Sequence, residues 1–397
     1  MRWRVGLVLL LIVVAAGAFN YLRPIPAAVP TSLRPAATVI KGTAPNLPWP
    51  SHGSAAVGAQ GIGFIASSGN EQAIPAASVT KVMTALVVLK DKPLQKGQGG
   101  PNITMTEEDV RAYQLDQQSQ QSVVKVEVGE TLTELQVLEG MLIPSANNLA
   151  ETIARWDAGS ATTFVDKMNA RAVALRMSHT RFTDTSGASP GSVSTPTDLL
   201  ALGMAAMHDP VLAQIVAIEQ VDLPVAGVVY NVNAALAHNG IFGIKTGSGL
   251  DSGANFLFAA NATVDSHTIV VYGCVMGQPT LGAAFSAAES LISAVSSGLH
   301  VQRVLERNQT VAIYNTAWGE QADAVSLFDV DLVEWPGMVL RERLDAPPLA
   351  VDKPLPSSTR TGAEHMTLGD YSFDVSLATA NPLFPPGRFW RLTRVAV

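Results

Sequence analysis

The sequence predicts a mixed α/β (α+β) fold followed by a small all-β domain. Three observations carry this. Residues 78–89 place Val79, Val82, Met83, Leu86 and Val87 at helical spacing with few polar residues between them. Further on, three apolar runs at 241–245, 255–260 and 268–276 have the length and character of strands, and the helical pattern of Phe285, Ala288, Ile292, Val295 and Leu299 follows them. From about residue 309 the pattern changes to short alternating apolar runs (311–314, 324–335, 389–395) separated by Pro and Gly, as in a small β domain.

In order along the chain, Arg2 and Arg4 precede an uncharged apolar run from Val5 to Phe19, with the small residues Ala16-Gly17-Ala18 as a cleavage site. Residues 1–22 are therefore expected to be either a signal peptide or an N-terminal membrane anchor. Both place the protein outside the cytosol, secreted or held on the membrane by this segment. Seven prolines between Pro24 and Pro50 predict an extended linker over 23–54. Folded structure should begin near Ala55, with a strand over 61–67 closed by the turn Ser68-Gly69-Asn70.

The helix at 78–89 reads as buried and central. A second helix is expected from Thr131, which forms a capping-box pattern with Glu134 and runs through Leu132, Leu135, Leu138 and Met141 until Pro144 breaks it. Leu149, Ile153 and Trp156 suggest another helix, and Phe164, Met168, Ala172 and Leu175 one more. Residues 184–196, rich in Gly, Ser, Thr and Pro, read as a loop. These boundaries give a main domain over 55–305 and a β-rich domain over 309–397.

Composition narrows the function. A net charge of -7 lacks the basic excess that nucleic acid requires. The single cysteine, Cys274, cannot form an intramolecular disulfide and lies in an apolar run, as a buried structural residue would. The seven histidines show no metal-ligand pairing, and no phosphate-binding glycine loop is present, so neither a metal nor a cofactor is expected.

Three short motifs carry chemistry. Ser78-Val79-Thr80-Lys81 puts a hydroxyl and an amine one helical turn apart. Serine is a weak nucleophile unless a base takes its proton, and a lysine among apolar neighbours has the lowered pKa that this requires. Ser145-Ala146-Asn147 offers a second hydroxyl for proton transfer to a leaving amine and an amide to hold a substrate backbone. Lys245-Thr246-Gly247 ends a short apolar strand, where lysine and threonine can grip a carboxylate and glycine admits a peptide to the strand edge.

This ordered trio, S-x-x-K, S-x-N and K-T-G, resembles the signature of penicillin-binding proteins and class A β-lactamases. Residues 75–86, 142–148, 164–169, 182–187 and 194–199 extend the likeness to low-molecular-weight serine-type D-alanyl-D-alanine carboxypeptidases across about residues 55–300. The resemblance implies an antiparallel sheet flanked by helices beside a helical lobe. It implies Ser78 as the acylated nucleophile, Lys81 as its base, Ser145 and Asn147 for proton transfer and positioning, and Lys245 and Thr246 for the terminal carboxylate. The N–H groups of Ser78 and Ser248, next to Gly247, would form the oxyanion hole. The implied substrate is the peptidoglycan stem peptide, with β-lactams as covalent inhibitors. Two features depart from the pattern: Gly249 stands where relatives usually carry threonine, and Asn148 replaces a common aspartate.

The alternatives are a class A-like β-lactamase and a non-catalytic cell-wall binding module of the same fold. The first lacks its E-x-x-L-N motif here, since Glu151 and Glu219, the only glutamates between Asn147 and Lys245, lie in other contexts. Against the second, a binding module needs neither a nucleophile nor a base.

Overall fold

The computed structural model describes residues 2–69 and 72–394, so Asn70 of the expected turn and Val395 of the last apolar run lie outside the described residues. The helices are α1 (Arg2–Leu22), α2 (Thr80–Asp91), α3 (Glu107–Gln118), α4 (Glu134–Leu142), α5 (Asn147–Ala158), α6 (Ala161–Ala174), α7 (Pro196–Met207), α8 (Pro210–Val216), α9 (Leu281–Gly298) and α10 (Arg388–Thr393). The chain divides into two compact units. One is Thr43–His300, and the other joins Met1–Gly42 to Val301–Val397.

In the first unit a five-stranded antiparallel sheet runs in the order Ile241–Gly249, Gly253–Val264, His267–Gln278, Ser54–Ala59, Gly63–Ser67. Alternate side chains of Gly253–Val264 point to opposite faces. On one face Phe256 meets Phe285 of α9 edge-on, with ring centroids 4.9 Å apart. On the other, Leu257 lies against Gly203 of α7 and joins the core shared by α2, α4, α5 and α6. Every residue of α2 from Thr80 to Leu89 is buried, because the helices around it and the sheet enclose it on all sides.

The second helix starts two residues later than its pattern suggests. Thr131–Thr133 pairs as a strand with Asn102–Thr104, and the capping box is made by Thr133 and Gln136 instead of Thr131 and Glu134. Strand pairing takes up the backbone at Thr131, so the next threonine in register becomes the cap. The helix α3 has its own capping box, Thr106 with Asp109. The apolar pattern did not reveal this helix, because Val110, Ala112, Tyr113 and Leu115 are its only apolar residues among acidic, basic and amide side chains.

The second unit is built on a seven-stranded antiparallel sheet in the order Val29–Ser32, Thr310–Asn315, Gln321–Ser326, Tyr371–Thr379, Arg360–Leu368, Val339–Asp345, Ala37–Val39. Both edge strands come from the proline-rich segment, which corrects the reading of 23–54 as a free linker. Proline is tolerated on a sheet edge, where its missing N–H faces no partner, and Pro30 sits in such a strand opposite Tyr314. The run at 389–395 is also corrected, since Arg388–Thr393 is helical and its Arg394 donates to the carbonyls of Asn20 and Pro24 at the end of α1 at 2.7 and 3.0 Å. The helix α1 supplies a 20-residue, mostly apolar stretch, Trp3–Leu22, with mean hydropathy 2.4 and none of it buried, which takes in Arg4 and Asn20 beside the run from Val5 to Phe19.

Candidate active site

The nucleophile motif is delivered by a 3-10 turn, Ala77–Val79, that runs directly into α2. Ala77 has a left-handed φ of 49°, a conformation that costs an alanine on the order of 1–3 kcal/mol and persists only where the surroundings hold it. They do so from two sides. The strand Ile241–Gly249 passes so close that a Cβ on Gly247 would lie 3.0 Å from Ser78 N, and the loop from 184 to 192 presses Gly187, at φ +79°, against Ala77 O. Asn255 ties the same region to the sheet, donating from Nδ2 to Pro75 O at 3.0 Å and accepting from Gly277 N at 2.9 Å. Any side chain at 187 or 247 would push the nucleophile turn away from its neighbours.

Lys81, one turn after Ser78, is fully buried. Its Nζ lies 2.9 Å from Ser78 Oγ, 2.6 Å from Asn147 Oδ1 and 2.9 Å from Ser186 O. A neutral amine has two N–H donors and one lone pair. With Asn147 and Ser186 accepting the donors, the lone pair is left for the serine hydroxyl, which is the geometry of a base. Burial, and then the charge of Lys245, hold the Lys81 pKa well below its ordinary value, while Asp184 and Asp116 oppose them. Asp116 is itself raised to about 6 by burial and by Glu151, with Lys81 opposing.

Asn147 opens α5. Ser145, two residues earlier, is buried at a left-handed φ of 69°, and its hydroxyl makes no hydrogen bond among the described residues. The amide of Asn147 is oriented by Gln121, whose Oε1 accepts from Nδ2 at 3.0 Å. Asn148 bonds the backbone of Val124 in both directions, at 2.9 and 3.1 Å, so the residue standing for an aspartate here clamps the neighbouring strand-like segment.

Lys245 and Thr246 are buried on the strand that packs against the 3-10 turn Ala77–Val79. Lys245 donates to Thr246 O at 3.1 Å, and burial lowers its pKa to about 7. A cleft of about 460 Å³ opens above these groups, with Ser78, Asn147, Ser248, Gln121, Gly187 and Asp251 in its walls. The structure thus brings Ser78, Lys81 and Asn147 into direct contact and sets Ser248 in the same cleft. Lys245 and Thr246 precede Ser248 on the same strand and are buried outside the cleft walls, and Ser145 stays outside the hydrogen-bonded cluster. Gln121, Asp184 and Ser186 were not foreseen. Asp184 and Ser186 lie inside a stretch that carries the family likeness, whereas nothing in the sequence marks Gln121.

A family model described as D-alanyl-D-alanine carboxypeptidase matches residues 56–280, more than half of the chain. The chain belongs to this family. Among curated D-alanyl-D-alanine peptidases, an endopeptidase of Pseudomonas aeruginosa is 35% identical over 166 residues, covering 41% of this chain and 49% of its own. A D-alanyl-D-alanine carboxypeptidase of Mycobacterium tuberculosis is 38% identical over 146 residues, covering 36% of this chain and 46% of its own. The chain spans about half the length of these two relatives. The fold is that of penicillin-binding protein 5 from Haemophilus influenzae, which has 19% identity and a TM-score of 0.62 over 87% of this chain and 100% of that one. Ser78, Ser145 and Lys245, which begin the three motifs of the resemblance drawn from sequence, all lie within the matched residues. Among the described residues no cluster of three or more His, Cys, Asp or Glu could hold a metal ion.

Proposed function

We propose that the protein is a serine-type D-alanyl-D-alanine carboxypeptidase that removes the terminal D-alanine of peptidoglycan stem peptides through an acyl-enzyme on Ser78. The observation that carries this reading is the buried Lys81 amine, held by Asn147 and Ser186 with its third direction on Ser78 Oγ. Ser78 Oγ attacks the carbonyl of the penultimate D-alanine while Lys81 takes its proton. The oxyanion forms between the N–H groups of Ser78 and Ser248, whose donors meet the charge as it develops. Collapse of this intermediate breaks the peptide bond, and the leaving D-alanine amine takes a proton from Lys81 by way of the Ser145 hydroxyl. Water then attacks the ester and gives a proton to Lys81, and the proton returns to Ser78 Oγ as the shortened peptide acid leaves. Lys245 and Thr246 hold the terminal carboxylate. β-Lactams acylate the same serine.

Endopeptidase action on crosslinks is the second reading, favoured by the curated relatives from Pseudomonas aeruginosa, Escherichia coli and Haemophilus influenzae, which are named endopeptidases. The helix α1 supports an extracytoplasmic placement on the membrane. At about 1.5 Å per residue its 20-residue, mostly apolar stretch Trp3–Leu22 reaches about 30 Å, the thickness of a bilayer core. The Arg394 cap on the end of α1 favours a retained anchor over a cleaved signal.

Intact mass after incubation with penicillin, paired with D-alanine release from an acyl-D-Ala-D-Ala peptide and from a crosslinked dimer, tests the reading. One adduct on the wild type, none on Ser78→Ala, and release from the linear peptide are expected. Labelling of the Ala variant at another serine would remove the nucleophile assignment, and turnover of the dimer alone would favour the endopeptidase.

A further inference from the structure

The loop that follows α6 and leads to α7 holds one acidic residue, Asp184, that the three motifs leave without a role. Its carboxylate accepts from both arms of the loop. Oδ2 takes the N–H of Ser186 at 3.2 Å, the Ser186 hydroxyl at 2.9 Å and the N–H of Ala188 at 2.8 Å, and Oδ1 takes the Ser192 hydroxyl. Ser192 Oγ accepts in turn from the N–H groups of Thr183 and Asp184, at 3.0 and 3.3 Å. A segment rich in Ser, Gly and Pro has many conformations to lose. An aspartate that gathers the following N–H groups is the kind of local bond that selects one of them.

The ordered turn meets the nucleophile helix at three consecutive residues. Thr185 O accepts from Thr84 Oγ1 at 2.6 Å, Ser186 O accepts from Lys81 Nζ at 2.9 Å, and Gly187 abuts Ala77 O. Of the two acceptors that orient the base, Asn147 Oδ1 is a side chain steered by Gln121. The other is a backbone carbonyl, and its direction is set by the turn that Asp184 closes.

We propose that Asp184 is the positioning residue of the catalytic base: its carboxylate locks residues 184–188 so that the Ser186 carbonyl stays fixed on Lys81 and the lone pair of the amine stays directed at Ser78. Asp184 touches neither substrate nor reacting atoms and acts through Ser186. The inference rests on the reading of Ser78 as the acylated nucleophile. It also has an electrostatic signature. Three charged groups face Lys81: Lys245 from its strand lowers its pKa together with burial, while Asp184 from the loop and Asp116 from α3 raise it. Replacing the Asp184 carboxylate by an amide therefore lets Lys81 lose its proton at lower pH. The same change takes an acceptor from the turn and loosens the carbonyl.

The test is the second-order rate of Ser78 acylation by a fluorescent penicillin, measured on the full chain from pH 5 to pH 9 for wild type and Asp184→Asn, with thermal unfolding to show that the variant is folded. The expected result is a plateau about 10- to 100-fold lower, the scale of a misplaced general base, with the acid limb of the profile moved to lower pH. A folded variant with the wild-type plateau overturns the proposal. So does a lowered plateau with an unmoved limb, because a merely structural loop slows acylation equally at every pH. Should Asp184→Asn fail to fold, Ser192→Ala and Ser186→Ala keep the carboxylate and each remove one of its donors. Each should slow acylation by about 3- to 10-fold with the limb in place, and wild-type rates in both overturn the proposal. A wild-type protein that penicillin does not label at Ser78 defeats the proposed function, and this inference with it. Normal labelling that is indifferent to residue 184 defeats the inference alone.

Discussion

At Lys245 burial works directly against the charge of the side chain. Burial has brought its pKa to about 7, so near neutrality a large part of the population is uncharged until a carboxylate arrives. Binding an anion restores the charge, because an opposite charge at hydrogen-bond distance favours the ammonium. The KM for peptides with a free C-terminal carboxylate should therefore rise as pH increases above about 7. Lys245→Ala should lower kcat/KM on such peptides by about 10- to 100-fold, the worth of a charge-assisted hydrogen bond, and affect C-terminally amidated analogues much less. Steady-state kinetics on the matched pair decide it. Equal losses on both substrates would mean that Lys245 serves the chemistry or the fold instead of the carboxylate.

At the scale of elements, the start of α4 carries a built-in strain. Glu134 is its first residue, fully buried, and neither carboxylate oxygen has a hydrogen-bond partner among the described residues. Burial raises its pKa to about 7, with Asp157 adding to the rise and Lys92 opposing it. The fold therefore holds this proton at pH values where the unfolded chain has released it. An acid whose pKa is raised by folding contributes stability below its unfolded value near 4.5, and that contribution is lost as pH rises to about 7. Glu134→Gln removes the titration. Relative to wild type, the variant should gain about 1–3 kcal/mol on going from about pH 4.5 to about pH 8. Urea unfolding of both proteins at the two pH values measures the gain, and a constant difference between them would show that Glu134 is not protonated in the fold.

On the scale of the whole molecule, the N-terminal segment closes the C-terminal sheet. Arg34, between its two edge strands, donates to Glu342 Oε1 from Nε at 2.7 Å, and its other arm reaches Val304 O at 3.1 Å. Glu342 and Glu364 are both buried, and burial together with Glu342 lifts Glu364 to about 7, with Arg34 opposing. Arg34→Ala leaves buried carboxylates without their cation and should cost about 3–5 kcal/mol at about pH 8. The loss should be smaller at about pH 5, where Glu364 is protonated and one of the two negative charges is gone. Thermal unfolding at both pH values tests this, and an equal small loss at each would place the segment's hold in its strand pairing alone.

Much was legible in the sequence because it rests on local spacing. A hydroxyl and an amine one turn apart, the apolar stripe of α2, and the alternation beyond residue 309 are properties of neighbouring residues, and short-range sterics translate them directly into structure. What the tertiary structure alone decided was where distant backbone finds its partners. The prolines between 24 and 50 suit either an extended spacer or a sheet edge, and only the open outer edges of the strands Thr310–Asn315 and Val339–Asp345 selected the edge. The same holds at the site. Lys81 becomes a base only when Asn147, 66 residues on, and Ser186, 105 residues on, supply acceptors for its two N–H groups. No local pattern records that the second acceptor is a main-chain carbonyl, because every residue has one and only the folded loop chooses which carbonyl points at the amine.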